Sequence, residues 1–198
     1  KFLKMPIDHK KKIVFIHIPK TAGTSIEIAM GINKHTGKDG KNLLNRSIND
    51  FSSYSLYGRG MQHFQIQEIY THLQSLDKNI NSYKYFSVIR NPGERLISHY
   101  LGRNGNWIKV QNFNNKSFLS CLIFLIHISL ARILIEGTSN KQFRRLKRII
   151  YCQYEHIVSQ YKYICKDKTN TIIFNFDRLN EMEDFLLENG YQKLYKYR

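Results

Sequence analysis

Acids are scarce in this chain. Fifteen Asp and Glu stand against 31 Lys and Arg in 198 residues, a formal net charge of +16 at pH 7. That imbalance excludes an acidic solvating chain and creates a field that attracts polyanions: nucleic acid, anionic lipid, phosphorylated nucleotide or acidic polysaccharide. It names the partner's sign and not its chemistry. Cysteine is scarce too. Cys121, Cys152 and Cys165 are an odd number with no CxxC or Cys/His ligand spacing, so neither a disulfide framework nor a metal site is signalled. This pattern suits a reducing compartment, and a cytoplasmic location is expected, with the Golgi lumen as the alternative if the chain, which opens at Lys1, is trimmed from a longer one. Only three prolines occur, and no linker-like tract or internal repeat divides the sequence. A membrane-spanning run is also missing. The most apolar stretch, Ser117 to Ala131, lacks Asp, Glu, Lys and Arg but is shorter than the roughly 18 to 20 residues a spanning helix needs. It reads as a buried core helix.

What remains is an ordinary globular composition, 42% hydrophobic and 23% charged, which excludes a disordered chain. IVFIHI over residues 13–18 is a short β-branched apolar run ending at Pro19, the mark of a buried parallel strand. Helical spacing follows from about Thr24 to Met30, with Gly31 as the stop. Residues 32–60 are polar and rich in Gly, Asn and Ser and read as loop, with one short strand near Tyr54 to Tyr57. Ile66, Ile69, Tyr70 and Leu73 fall at i, i+3, i+4 and i+7 and predict a helix over 65–75. A second strand, Tyr83 to Ile89, runs into Arg90-Asn91-Pro92-Gly93 and a helix over 94–101. Helical segments fill 117–165, a third apolar β-rich run covers Thr171 to Phe176, and a helix spans 181–188. Strands alternating with helices predict an α/β fold with a mainly parallel central sheet flanked by helices, in a single domain over 1–198.

In an open parallel sheet, ligands bind where strands end and helices begin. Two junctions carry the chemistry. In Ile18-Pro19-Lys20-Thr21-Ala22-Gly23-Thr24-Ser25, Ala22 and Gly23 let a phosphate approach the backbone, Lys20 offers a mobile cation, and Thr21, Thr24 and Ser25 offer hydroxyls. This differs from the nucleotide-triphosphatase loop GxxxxGK[ST], because Lys20 precedes Gly23. The second junction is Phe86 to Tyr100, FSVIRNPGERLISHY. There Arg90 at a strand end can fork onto phosphate oxygens, and Ser98 lies two helical turns further on.

FIHIPKTAGTSIE, residues 15–27, resembles the 5′-phosphosulfate loop of the sulfotransferases that use 3′-phosphoadenosine 5′-phosphosulfate (PAPS), in the branch that includes carbohydrate and heparan-type enzymes. Residues 86–100 are similar to that family's 3′-phosphate segment. The likeness covers residues 13–31 and 83–101 most strongly, 61–74 and 158–190 less so, and is absent between 103 and 157. It implies a P-loop-like sulfotransferase fold, PAPS as donor with PAP as product, and no metal. It assigns Lys20 to the phosphosulfate, Thr21, Ala22, Gly23, Thr24 and Ser25 to the 5′-phosphate, and Arg90 and Ser98 to the 3′-phosphate.

Sulfuryl transfer to a hydroxyl also needs a group to take the proton, and His suits that role near pH 7. His63, just before the helix at Gln65, resembles the position of the catalytic His in the carbohydrate branch. Glu27 is the alternative base. His17, between Ile16 and Ile18, reads as a packed, hydrogen-bonded histidine. Asp177 and Arg178 near the closing strand read as capping residues. Lys141, Arg144, Arg145 and Arg148 fall at i, i+3, i+4 and i+7 in the part of the chain outside the resemblance, a basic stripe suited to an anionic glycan acceptor. The expected activity is transfer of a sulfuryl group from PAPS to a hydroxyl, on a carbohydrate. The rival from another class is a non-enzymatic binder of nucleic acid or glycan; the absence of any nucleic-acid motif disfavours nucleic acid as partner.

Overall fold

A computed structural model describes residues 6–31, 63–103, 119–120, 122–123, 126–127, 129–131, 158–164 and 171–194. The single domain expected from the sequence is built as two compact units. The first comprises Lys1–Tyr54, Gly60–Arg90 and Ser159–Arg198, and the second Ser55–Arg59 and Asn91–Val158.

The first unit holds a four-stranded sheet in the order β1 (Ile7–Asp8), β2 (Ile13–Ile16), β3 (Lys84–Ile89), β4 (Thr171–Asn175). β1 pairs antiparallel with β2, while β2–β3 and β3–β4 are parallel, with Phe15 opposite Phe86 and Val88 opposite Phe174. The parallel core fits the apolar runs that predicted it. β1 has only two residues, too short to leave an alternation in the sequence.

Because successive side chains of a strand face opposite ways, the sheet builds two apolar surfaces. Ile13, Phe15, Phe86, Val88 and Phe174 form one, packed with Ile26, Ala29 and Met30 of the α1 region and with Met182 and Leu186 of the last helix. Helix α1 is Gly23–Ala29, and α2, Ile66–Ser75, buries Ile66, Ile69, Tyr70 and Leu73. Tyr70 meets Tyr85 of the other sheet surface edge to face, with ring centroids 5.5 Å apart. α2 starts where Glu68 Oε2 accepts from the Gln65 backbone N–H at 2.8 Å, a capping contact. Each fully buried Phe or Ile of this core stabilises the fold by about 1.5–3 kcal/mol.

The other first-unit α-helices among the described residues are a single turn, Tyr161–Ile164, and the helix Leu179–Glu188. The end of that longer helix is tied to the β1–β2 turn. Lys11 Nζ donates to the carbonyls of Asn189 and Gly190, both at 2.7 Å, and lies 3.8 Å from the Tyr191 ring centroid. The Tyr191 hydroxyl donates to Asp8 Oδ2 at 2.9 Å.

In the second unit, helix α3 spans Pro92–Arg103. Asn91 caps it, its Oδ1 accepting from Gly93 N at 2.9 Å and Glu94 N at 3.3 Å, with Pro92 in the first-turn position that tolerates a missing N–H. Buried Arg95 donates through Nη2 to the Val158 carbonyl. The described residues between 119 and 131 are helical, as expected, but their apolar side chains are not core. Leu119, Leu122, Ile123, Ile126 and Leu130 are 37–58% exposed. Their spacing places them on one face, and it is the described outward one; the four neighbours Cys121, Phe124, Leu125 and Ile128 fall outside the described residues. No helix among the described residues is long and apolar enough to cross a membrane.

Candidate active site

The C-terminal ends of β2, β3 and β4 lie side by side, since all three run parallel. They carry, in that order, the Lys20 loop, Arg90 and Phe176.

After β2 the chain stays buried through His17, Ile18 and Pro19, then turns sharply. Lys20 (φ 70) and Ala22 (φ 65) both adopt left-handed backbone, each at a cost of about 1–3 kcal/mol for a residue with a side chain. Between them Thr21 is fully buried, its hydroxyl donating to the Ile18 carbonyl at 2.8 Å. Backbone of this form turns successive N–H groups toward one concave side, an anion-binding shape. The Ala22 carbonyl accepts from Ser25 N at 2.9 Å and from Ile26 N at 3.2 Å, closing the loop onto α1. Thr24 is exposed and Ser25 half-buried, so of the loop's three hydroxyls Thr21's serves the loop itself.

Burial holds the Lys20 ammonium below its ordinary pKa, and the Arg90 guanidinium adds to that. Arg90 is held from two directions. The Gln160 side chain accepts from its N–H at 2.8 Å and donates to its carbonyl at 2.7 Å, and its guanidinium carbon lies 4.1 Å from the Phe176 ring centroid, a cation–π contact. Phe176 begins the short 3₁₀ turn that follows β4. Phe176 is not among the site residues the sequence singles out, although an aromatic directly after a strand is the available signal.

His17, Glu27 and His63 form a buried cluster under the loop. His17 and Glu27 are 4% and 2% exposed, and His17 Nδ1 lies 2.6 Å from Glu27 Oε1. The packed, hydrogen-bonded state expected of His17 is therefore found, with Glu27 as the partner. His63, 8% exposed, places Nδ1 3.3 Å from the His17 carbonyl. A carbonyl only accepts, so this bond needs the His63 proton on Nδ1, and in the neutral ring that leaves the lone pair on Nε2. The two imidazoles meet edge to face at 4.5 Å.

Lys20 with its loop, Glu27, His63 and Arg90 thus all belong to the first unit. Ser98 lies half-buried on α3 in the second unit, and Lys141, Arg144, Arg145 and Arg148 fall outside the described residues. Asp177 and Arg178 are exposed, and the Asp177 N–H donates to Asn175 Oδ1 at 3.1 Å in the capping turn after β4.

No curated protein and no solved structure matches the chain. The sulfotransferase family does: its sequence profile runs from residue 4 to residue 189, through the Lys20 loop, the Arg90 strand end and the closing β4 segment alike, and the chain belongs to that family of transferases.

Proposed function

We propose that this enzyme transfers a sulfuryl group from PAPS to a hydroxyl on a carbohydrate, with Lys20 and Arg90 gripping the donor and His63 taking the acceptor's proton. The observation that carries the reading is the pairing of two cations at one end of the sheet. Lys20 is disfavoured as a charge both by burial and by Arg90, an arrangement that a bound anion relieves. The curled loop around Thr21 and the planar fork of Arg90 suit phosphate and sulfate oxygens, so the residues present fit the donor.

When bound, PAPS supplies an SO₃ group whose departure leaves PAP. Lys20 is the side chain suited to holding the phosphosulfate and to countering charge on the leaving oxygen, while the loop backbone cradles the 5′-phosphate. Arg90 would hold the 3′-phosphate, joined by Ser98 on the strength of the resemblance. In its neutral form, with the proton on Nδ1, His63 would bear its lone pair on Nε2, as a general base requires. An acceptor carrying uronate or sulfate groups is favoured by the +16 charge and by the stripe of Lys141, Arg144, Arg145 and Arg148. The cysteine pattern supports a reducing compartment for this reaction.

Calorimetric titration with PAP, against ATP and 5′-AMP in moderate salt, tests the reading. Tight PAP binding with weak response to both controls is expected. Lys20→Ala and Arg90→Ala should each lose PAP affinity, whereas His63→Ala should keep it and lose turnover. Equal binding of PAP by wild type and both loop variants would remove the assignment. Binding that collapses with salt as a polyanion complex does would favour the non-enzymatic alternative.

A further inference from the structure

The sulfuryl-transfer reading leaves two buried titratable side chains without a task. His17 is the residue that follows β2, and Glu27 sits in the second turn of α1; their bond joins the two ends of the loop from beneath. The His17 imidazole is boxed in. Phe15 stacks on it with centroids 5.4 Å apart, and His63 meets it at 4.5 Å. Gly23 approaches so closely that a Cβ there would fall 1.9 Å from His17 Nε2. A buried ionisable pair is weak evidence for stability, because desolvation offsets much of its attraction. Its contacts point elsewhere: one residue touches the start of α1 with its ring edge, touches His63 with the same ring, and accepts from His63 Nδ1 with its own carbonyl.

Resting on the function proposed above, we infer that His17 and Glu27 are positioning residues for the reacting centre: Glu27 locks the His17 imidazole as a wedge between Gly23 and His63, so that the donor loop and the base keep one mutual geometry. In this role neither residue touches the donor or the acceptor. The Nδ1–H of His17 donates to the Glu27 carboxylate, which fixes the ring's rotation, as carboxylates do for histidines that must hold one orientation. Glu27 thereby acts on the base at second hand and takes no proton from the acceptor.

The test compares Glu27→Ala and Glu27→Gln with wild type in three measurements: PAP titration, acceptor-free release of sulfate from PAPS with water as the nucleophile, and long-range ¹H–¹⁵N spectra of the histidine rings. In Glu27→Ala, PAP affinity should stay within about threefold while sulfate release falls by about tenfold or more, and the His63 ring should pass from one tautomer to a mixture. Glu27→Gln keeps an acceptor oxygen and should restore both rate and tautomer to within about threefold. An unchanged His63 spectrum in Glu27→Ala overturns the inference. So does parallel loss of PAP affinity and rate in both variants, since that is what a merely structural pair would give. If wild type does not bind PAP, the sulfuryl-transfer reading falls on that result alone, and the His63 spectra still decide whether Glu27 orients the ring.

Discussion

Gln160 grips the backbone of Arg90 as a neighbouring strand would, accepting from its N–H at 2.8 Å and donating to its carbonyl at 2.7 Å across 70 residues of sequence. Both bonds form where β3 ends, so the guanidinium starts from a fixed root. Replacing Gln160 with Leu leaves two part-buried backbone groups unsatisfied, a loss of about 1–3 kcal/mol. PAP affinity should fall by about tenfold, and 5′-AMP affinity, which lacks the 3′-phosphate, should change by less than about twofold. Equal losses for the two nucleotides would show that Gln160 does not act through Arg90.

Lys20 should weigh against the fold it serves. Its pKa lies below the ordinary 10.5 through burial first and Arg90 second. The folded state therefore binds this proton less tightly than the unfolded one. The penalty is full below the folded pKa and disappears as pH rises past 10.5. Lys20→Met removes the charge and keeps the stem, and its melting temperature should rise by about 2–4 °C at neutral pH. The same variant should lose at least about tenfold in PAP affinity. A lower melting temperature would mean that Lys20 stabilises the ligand-free protein.

Gly23→Ala probes the close approach of His17. A Cβ there would lie 1.9 Å from Nε2 and 2.1 Å from Cδ2 of that ring, and the ring has Phe15 and His63 against its other sides. Overpacking of this kind costs about 1–3 kcal/mol. Urea unfolding of the variant should show that loss, and an unchanged midpoint would place the His17 ring elsewhere.

Asp8 should make the β1 clasp sensitive to acid. Burial pushes its carboxyl up, but hydrogen bonds from Lys11 N, the Tyr191 hydroxyl and Lys10 N, with the charge of Lys11, hold it below its ordinary 3.8. The stability it contributes is present above 3.8 and is lost as pH falls through the depressed folded value. Tyr191→Phe should destabilise the protein by about 0.5–1.5 kcal/mol at neutral pH and by clearly less at an acidic pH below the depressed folded value. Denaturant titrations at the two pH values compare them, and an equal loss at both would show that the carboxylate charge adds nothing to this bond.

The parts of the fold that repeat locally were readable in advance. Ile13 to Ile18 and Tyr83 to Ile89 announce strands because a sheet covered on both faces needs apolar side chains at every position, and Ile66, Ile69, Tyr70 and Leu73 announce a helix by spacing alone. Helix starts came out late at Pro92 and Leu179, since the first turn of a helix makes few contacts that constrain its sequence. Lys20 stood out because an ordinary strand-to-helix turn needs no cation, and Arg90 only because its turn comes paired with that loop and resembles the family's 3′-phosphate segment. The His17–Glu27 contact left no such mark: the residues stand ten apart across a loop, and only the turn at Lys20 and Ala22 brings them together. Leu119 to Leu130 misled for a different reason. An apolar helical stripe has the same spacing whether it faces a core or the outside, and only the structure separates them.

The Lys11 bonds to Asn189 and Gly190 span 178 and 179 residues, and β3 finds its partner β4 only after the long Asn91–Val158 segment of the second unit has been strung between them. During synthesis, therefore, the first three strands leave the ribosome long before their sheet can be finished. At about 5–20 residues per second that delay lasts several seconds. Through it Phe86 and Val88 lack their cover and the far edge of β3 stands open, a template for any other nascent strand. Burden on chaperones, and a refolding yield that drops as concentration rises, are built into this order of assembly.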